Sequence, residues 1–246
     1  MRLLEVKNVQ KNYGDDVVIR NINMHLDEGE LVCLLGVSGV GKTTLFNVIS
    51  GLYQPDRGEV FLKGEAITGH PGHISYMLQK DLLLPYKTVL QNLMLPLTLK
   101  GMPKEEAKTE VLKHLPDFGL EATVVKYPHQ LSGGMRQRAA LLRTYFASEG
   151  VVLLDEPFSA LDTLTKSTMH AWFLDLMERI SLSSIFITHD IDEAVLLADR
   201  VYILSGVPGE ITSEIRIDVP RPRQIGFTYT EEFLHYKRQI RNAIGL

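Results

Sequence analysis

The clearest pattern in the chain is a short, continuously apolar run, Leu31-Val32-Cys33-Leu34-Leu35, closed by Gly36. Such a run predicts a strand buried on both faces of a parallel sheet. Three similar runs follow later, Val151 to Leu154, Ile185 to Thr188 and Val201 to Leu204, separated by helical stretches over Leu164 to Ile180 and Asp192 to Ala198. Strand and helix in alternation predict a doubly wound α/β core. Residues 3 to 26 read as two strands around the turn Gly14-Asp15-Asp16, an antiparallel lid. The turn Pro55-Asp56-Arg57-Gly58 precedes an alternating Glu59-Val60-Phe61-Leu62, and Ile74 to Leu78 is a further apolar strand. Both are expected to continue the core sheet. Between 88 and 148 the pattern is helical, with Glu105 to His114 after Pro103 and Gly134 to Ala147 after Ser132. The tail carries a strand-like Glu210 to Val219, a stiff Pro220-Arg221-Pro222-Arg223, and a last helix opened by the capping pair Thr228 and Glu231. Phe233, Tyr236, Lys237, Ile240 and Ile244 are spaced for an amphipathic helix that packs. The expected organisation is one α/β unit: a β lid over 3–30, a core from 31–87 and 151–205, a helical subdomain over 88–148, and a C-terminal extension over 206–246.

Composition agrees with a chain that folds throughout: 246 residues, 45% apolar and 23% charged. The net charge of -4 argues against a protein that neutralises phosphates along DNA, so nucleic acid is not an expected partner. Cys33 is the single cysteine, which leaves no internal disulfide or cysteine-rich zinc site and fits a reducing cytoplasm. Charges interrupt Met1 to Lys7, unlike the apolar core of a signal peptide. Leu82 to Leu99 is broken by Pro85, Lys87, Gln91, Asn92 and Pro96, short of the ~20 apolar residues of a membrane span. Any membrane contact is therefore expected to be indirect.

Chemistry enters with Gly36-Val37-Ser38-Gly39-Val40-Gly41-Lys42-Thr43-Thr44, a phosphate-loop pattern between a predicted buried strand and a predicted helix. The glycines let backbone N–H groups converge on phosphates, and the helix dipole adds positive potential there. Lys42 supplies a full charge to the outer phosphates, and Thr43 offers a hydroxyl to Mg²⁺. The loop alone implies a nucleotide, ATP or GTP. Val151 to Leu154 ends in two adjacent carboxylates, Asp155 and Glu156, which strand alternation is expected to point in different directions. Asp155 is the candidate for the metal shell and Glu156 for polarising the attacking water.

Leu131-Ser132-Gly133-Gly134-Met135-Arg136-Gln137-Arg138 closely resembles the signature of ABC ATPases, just upstream of the carboxylate strand. Physically, Ser132, Gly133 and Gly134 at a helix N-terminus form a second anion site, while the chain has one phosphate loop. The resemblance implies a P-loop NTPase fold, with a RecA-like, mostly parallel core sheet flanked by helices, an N-terminal antiparallel β subdomain and a helical signature subdomain. It further implies ATP and Mg²⁺ as ligands and a head-to-tail homodimer in which each signature closes on the nucleotide of the other copy. Tyr13 resembles the aromatic that stacks on adenine, Gln79 the glutamine linking magnesium to the transport subunit, and His189 the switch histidine. Ser159-Ala160-Leu161-Asp162 resembles the segment that crosses the dimer interface. Three positions depart from the commonest pattern. Val37 and Val40 are expected to be harmless, because those loop positions act mainly through backbone N–H, whereas Met135 removes a polar side chain beside the second phosphate site.

Tyr76 to Val89 and Ile217 to Arg223 resemble the nitrate, sulfonate, taurine and pyrimidine-precursor branch of ABC importers. That implies a place on the cytoplasmic face of the membrane, integral permease subunits as partners, and an extracytoplasmic solute-binding protein reached through them. Leu82-Leu83-Leu84, directly after Gln79, is expected to dock a short helix of the permease, the alternative being that it packs into this domain. The alternative is a non-transport ABC protein acting on nucleic acid or ribosomes. Such chains usually carry two ATPase cassettes or a long coiled coil, and this one has a single motif set and no long heptad run.

Overall fold

The computed structural model describes residues 1–180 and 182–245. The chain begins with β1 (Arg2–Tyr13) and β2 (Asp16–Asp27), the predicted lid hairpin, then β3 (Leu31–Leu35) and α1 (Lys42–Ile49). β4 (Arg57–Leu62), β5 (Glu65–Ala66) and β6 (Ser75–Met77) lead into the helices α2 (Val89–Leu99), α3 (Lys104–Phe118) and α4 (Gly133–Ala147). β7 (Val151–Asp155), α5 (Thr163–Ile180), β8 (Ser183–Thr188), α6 (Ile191–Leu197), β9 (Arg200–Ser205), β10 (Glu210–Arg216) and α7 (Glu231–Ile244) complete it. One sheet has six strands in the order β10-β9-β3-β8-β7-β6, parallel except for β10. The other is antiparallel, in the order β2-β1-β4-β5.

The parallel sheet is the middle layer, and its sequence shows why. In β3, Leu31, Cys33 and Leu35 enter one apolar cluster with residues of α2–α7, while Val32 and Leu34 enter a second cluster with α1 and the antiparallel sheet. β7 and β9 divide their side chains in the same way. A strand with two apolar neighbours has no polar face, so its run is continuous where a one-faced strand would alternate. Glu59-Val60-Phe61-Leu62 does alternate, and here the expectation of a core strand fails: β4 pairs antiparallel with β1, with Val60 opposite Val6 and Leu62 opposite Leu4. Val60 and Leu62 face the second cluster while Glu59 is exposed, the signature of a sheet with one wet side.

The last helix also differs in detail. Its N-cap is Thr230, whose hydroxyl accepts from Phe233 N at 3.2 Å, while Thr228 lies in the preceding 3-10 turn, Ile225–Tyr229. The predicted packing holds: Phe233, Tyr236 and Ile240 are buried. Arg223 anchors the approach to this helix. Its buried guanidinium donates to the carbonyls of Val195 (3.0 Å), Ala198 (2.6 Å) and Val219 (2.6 Å), satisfying the C-terminal end of α6. Burial lowers its pKa to about 10.

A polar hub ties the two sheets together at their edge. Buried Arg200 donates to Glu30 Oε1 (2.7 Å), Glu214 Oε1 (2.9 Å) and His25 Nε2 (2.6 Å). A ring nitrogen that accepts from a guanidinium cannot carry a proton, so His25 is neutral in this arrangement. Burial first, and then the Arg200 charge, hold its pKa below the ordinary histidine value. A base with a depressed folded pKa adds stability fully present above its unfolded value, ~6.5, and lost as pH falls from there through the lower folded value. The melting temperature of His25→Gln should therefore drop less than that of the parent between pH 7.5 and pH 5.5; parallel curves would contradict the assignment.

Candidate functional site

Four adjacent parallel strands, β3, β8, β7 and β6, end on one side of the sheet, and the candidate residues stand at those ends. A cleft of about 550 Å³ there is lined by Ser38, Gly39, Gly41, Lys42, Thr43, Thr44, Gln79, Asp155, Glu156 and His189, together with Val18 and Ile187. The loop from Gly36 to Gly41 reaches it because its backbone lies directly on neighbouring chain. A Cβ on Gly36 would strike the carbonyl of Leu204, and one on Gly41, at φ +107°, would run into Ile19. Gly41 is the N-cap of α1, so the first N–H groups of that helix open toward the cleft. Val37 is exposed, but Val40 is buried in the second core cluster. Its side chain thus helps fix the loop, in addition to the mainly backbone role expected of that position.

Lys42 is buried, and its ammonium donates to Gly36 O (2.7 Å) and Val37 O (2.9 Å). Burial pulls its pKa down, and the facing Glu156 and Asp155 charges oppose that pull. Asp155 Oδ2 accepts from Thr43 Oγ1 at 3.3 Å and from Tyr76 OH at 3.1 Å. Burial raises the Asp155 pKa against these two donors. Two hard oxygens this close, Thr43 Oγ1 and Asp155 Oδ2, suit an ion such as Mg²⁺, which takes few protein ligands and fills its shell with phosphate and water. Among the described residues no group of three or more His, Cys, Asp or Glu is placed to hold a metal unaided.

Glu156 faces the same cleft as Asp155, by a route that strand alternation did not foresee. The strand stops at Asp155, and Glu156 takes φ +46°, a left-handed conformation that costs a non-glycine residue about 1–3 kcal/mol. Glu156 N donates to Ile187 O (3.1 Å), while Ser159 N (3.2 Å) and Ser159 Oγ (3.0 Å) donate to Glu156 O, and these bonds hold the turn. The carboxylate is then bracketed: Gln79 Nε2 donates to Oε2 at 3.1 Å, and His189 Nδ1 lies 3.2 Å from Oε1.

Not every candidate is in this cleft. Tyr13 closes β1, is 47% exposed and stands edge-on to Tyr53, outside the lining residues. Ser132 caps α4, its hydroxyl accepting from Met135 N at 3.3 Å, and Ser132, Gly133 and Gly134 line no part of the cleft. A Cβ on Gly134 would stand in van der Waals contact with Thr165 and Met169, so the signature packs on the start of α5. The Leu82-Leu83-Leu84 patch divides: Leu82 is 52% exposed, whereas Leu83 is 7% exposed and belongs to the core. Tyr76 was missed by the sequence reading, since no local motif marks a residue whose role depends on a carboxylate 79 positions away.

A family model for ABC transporters matches residues 19–159. The chain belongs to the ABC transporter family. It is an ATP-binding subunit and an ATPase of the transport class, homologous to the ATPases of importers. Nitrate import ATP-binding protein NrtD of Synechocystis is 39% identical over 94% of this chain and 89% of that protein. Formylaminopyrimidine import ATP-binding protein ThiZ of Halalkalibacterium halodurans is 41% identical over 91% of this chain and 88% of that protein. The ATP-binding cassette MJ0796, solved as a dimer in a post-hydrolysis state with ADP and Pi, is 30% identical with a TM-score of 0.75, covering 89% of this chain and all of that one. The ABC chain thus has the P-loop α/β fold its sequence predicts, and no helix among the described residues is long and apolar enough to cross a membrane.

Within this ABC ATPase, Tyr76 offers a test of the cleft's construction. Its hydroxyl is one of two side-chain donors to a buried carboxylate, so Tyr76→Phe should lower stability by about 1–3 kcal/mol in urea unfolding. An unchanged midpoint would show that Asp155 does not depend on it.

Proposed function

We propose that this ABC subunit hydrolyses MgATP as a head-to-tail homodimer on the cytoplasmic face of the membrane and so drives permease subunits that import a small solute. The nitrate and formylaminopyrimidine import proteins among its relatives support a solute of the nitrate, sulfonate, taurine or pyrimidine-precursor class, delivered by an extracytoplasmic binding protein. The observation that carries the dimer is spatial. Lys42, Thr43, Asp155, Glu156, Gln79 and His189 meet around one cleft, while the second anion-binding helix end, at Ser132 to Gly134, lies outside it in the same chain.

Each side chain has a distinct task. The loop N–H groups and Lys42 bind the β- and γ-phosphates, trading the Gly36 and Val37 carbonyls for phosphate oxygens. Tyr13, Val37 and Val40 complete the nucleotide site, the first by stacking on the base and the valines through their backbone. Mg²⁺, held by Thr43, Asp155 and Gln79, would neutralise charge on the transferring phosphoryl group. Glu156 accepts a proton from the attacking water, a role worth ~10²–10⁴-fold in rate. Gln79 and His189, one on each of its oxygens, hold the carboxylate in the cleft. Ser132, Gly133 and Gly134 of the second copy close the site, and loss of the γ-phosphate lets the copies part.

Leu83 belongs to the core, so an acidic substitution there tests folding, and exposed Leu82 is the residue left free for the proposed permease docking. Glu156→Gln should bind ATP with parental affinity, hydrolyse it at least ~100-fold more slowly and accumulate as a dimer. Near-parental turnover would refute the base assignment. Lys42→Ala should weaken nucleotide binding, as read by a fluorescent ATP analogue, and an unchanged Kd would remove Lys42 from the phosphate site.

A further inference from the structure

α5 and α6 meet over charged side chains that no step above uses. Lys166 Nζ pairs with Asp190 Oδ2 at 2.9 Å and with Glu193 Oε1 at 2.5 Å. Glu193 is 3% exposed, and its other oxygen accepts from Thr188 Oγ1 at 2.5 Å. His170 Nε2 stands 3.3 Å from Glu193 Oε1 without the alignment of a hydrogen bond. Burial works to raise the Glu193 pKa, but His170, Lys166 and Thr188 together hold it below its ordinary value, so the group is a carboxylate.

What makes this cluster more than packing is the residue between its members. Thr188 Oγ1 accepts from Asp190 N at 3.0 Å, and Asp190 Oδ1 accepts from Asp192 N (2.9 Å) and Glu193 N (3.3 Å). The residues on both sides of His189 are therefore pinned, whereas the His189 side chain is 62% exposed and its polar contact among the described residues is to Glu156, through Nδ1. The other end of the network is tied to the segment 159–162. Lys166 N donates to Asp162 O at 2.8 Å, and Thr165 Oγ1 donates to Asp162 Oδ2 at 2.6 Å. Phe158 lies edge-on to His170, with ring centroids 4.8 Å apart. A buried ion pair is a weak source of stability compared with apolar packing, because desolvation offsets attraction. Its directional contacts do fix geometry.

We propose that Lys166 is a positioning residue for His189: its ion pairs to Asp190 and Glu193 hold the turn that presents the imidazole to Glu156, and lock that turn to the Ser159–Asp162 segment. A displacement of this segment by a second copy of the chain is then passed to His189 through one side chain. The inference rests on the roles proposed above for Glu156, His189 and the dimer.

The test uses the full chain and three readouts: kcat for ATP, Kd for a fluorescent ATP analogue, and the melting temperature. Lys166→Met should lower kcat by about 10- to 100-fold, the scale on which a displaced catalytic group loses rate, with Kd within about twofold of the parent. Lys166→Arg, which keeps the charge, should recover most of the rate. Asp190→Asn keeps the helix-capping oxygen and loses the ion pair, so it should reproduce the kcat loss even if Lys166→Met does not fold. Parental kcat in Lys166→Met or in Asp190→Asn overturns the proposal, as does a loss that follows Kd or the melting temperature in place of kcat. His189→Ala in the same series separates the two ideas: if it turns over at the parental rate, the reading of His189 falls, and if it is slow while Lys166→Met is normal, only the positioning role falls.

Discussion

Parallel pairing of β3, β8, β7 and β6 is the constraint from which the site follows. Parallel strands all end on the same side, so each loop beyond a strand end opens at a common edge. Neighbouring strands lie ~4.8 Å apart, and four of them span roughly 14 Å, comparable with a nucleotide's phosphates and their metal. Along that edge stand the phosphate loop, His189, the pair Asp155 and Glu156, and Gln79, one set for each strand. The two-sided apolar strands hold the edge rigid, with α1 and the antiparallel sheet on one face and α2–α7 on the other.

The same geometry sets the limit of a single copy. Ser132 opens α4 in the helical layer, where Gly134 packs on α5, and it lines no part of its own chain's cleft. Within one chain, then, the phosphate loop and the signature stand apart. The head-to-tail dimer we propose supplies each loop with a signature, and it turns ATP binding into an interface event. The network around Glu193 lies between the start of α5 and His189, which is where a signal from that interface would enter the chemistry.

Much of this was legible in the chain because it is local. A continuous run such as Val151 to Leu154 marks a two-faced strand, and Gly36 to Thr44 marks a phosphate loop by spacing alone. What escaped is long-range. Tyr76 matters through Asp155, His25 through Arg200, and Lys166 through Glu193, and in none of these does sequence spacing announce the contact. Glu156 lines the cleft through a left-handed turn that depends on bonds to Ile187 and Ser159, which strand alternation does not reveal. β4 belongs to the antiparallel sheet and not to the core sheet, as its one-sided alternation already suggests, and Leu83 takes the packing alternative because three consecutive leucines in a turn cannot all face the same way.

The claim that each chain owns half of two sites is tested most directly by mixing two inactive variants. Lys42→Ala lacks a working phosphate loop and Ser132→Arg a working signature. In a head-to-tail pair made of one copy of each, one site has both intact halves. The account predicts that each variant alone is nearly inactive and that an equimolar mixture recovers about a quarter of the parental sites, because half of randomly formed pairs are mixed and each has one good site of two. A mixture no more active than its components, with mixed dimers present, or full activity of Ser132→Arg by itself, would contradict it.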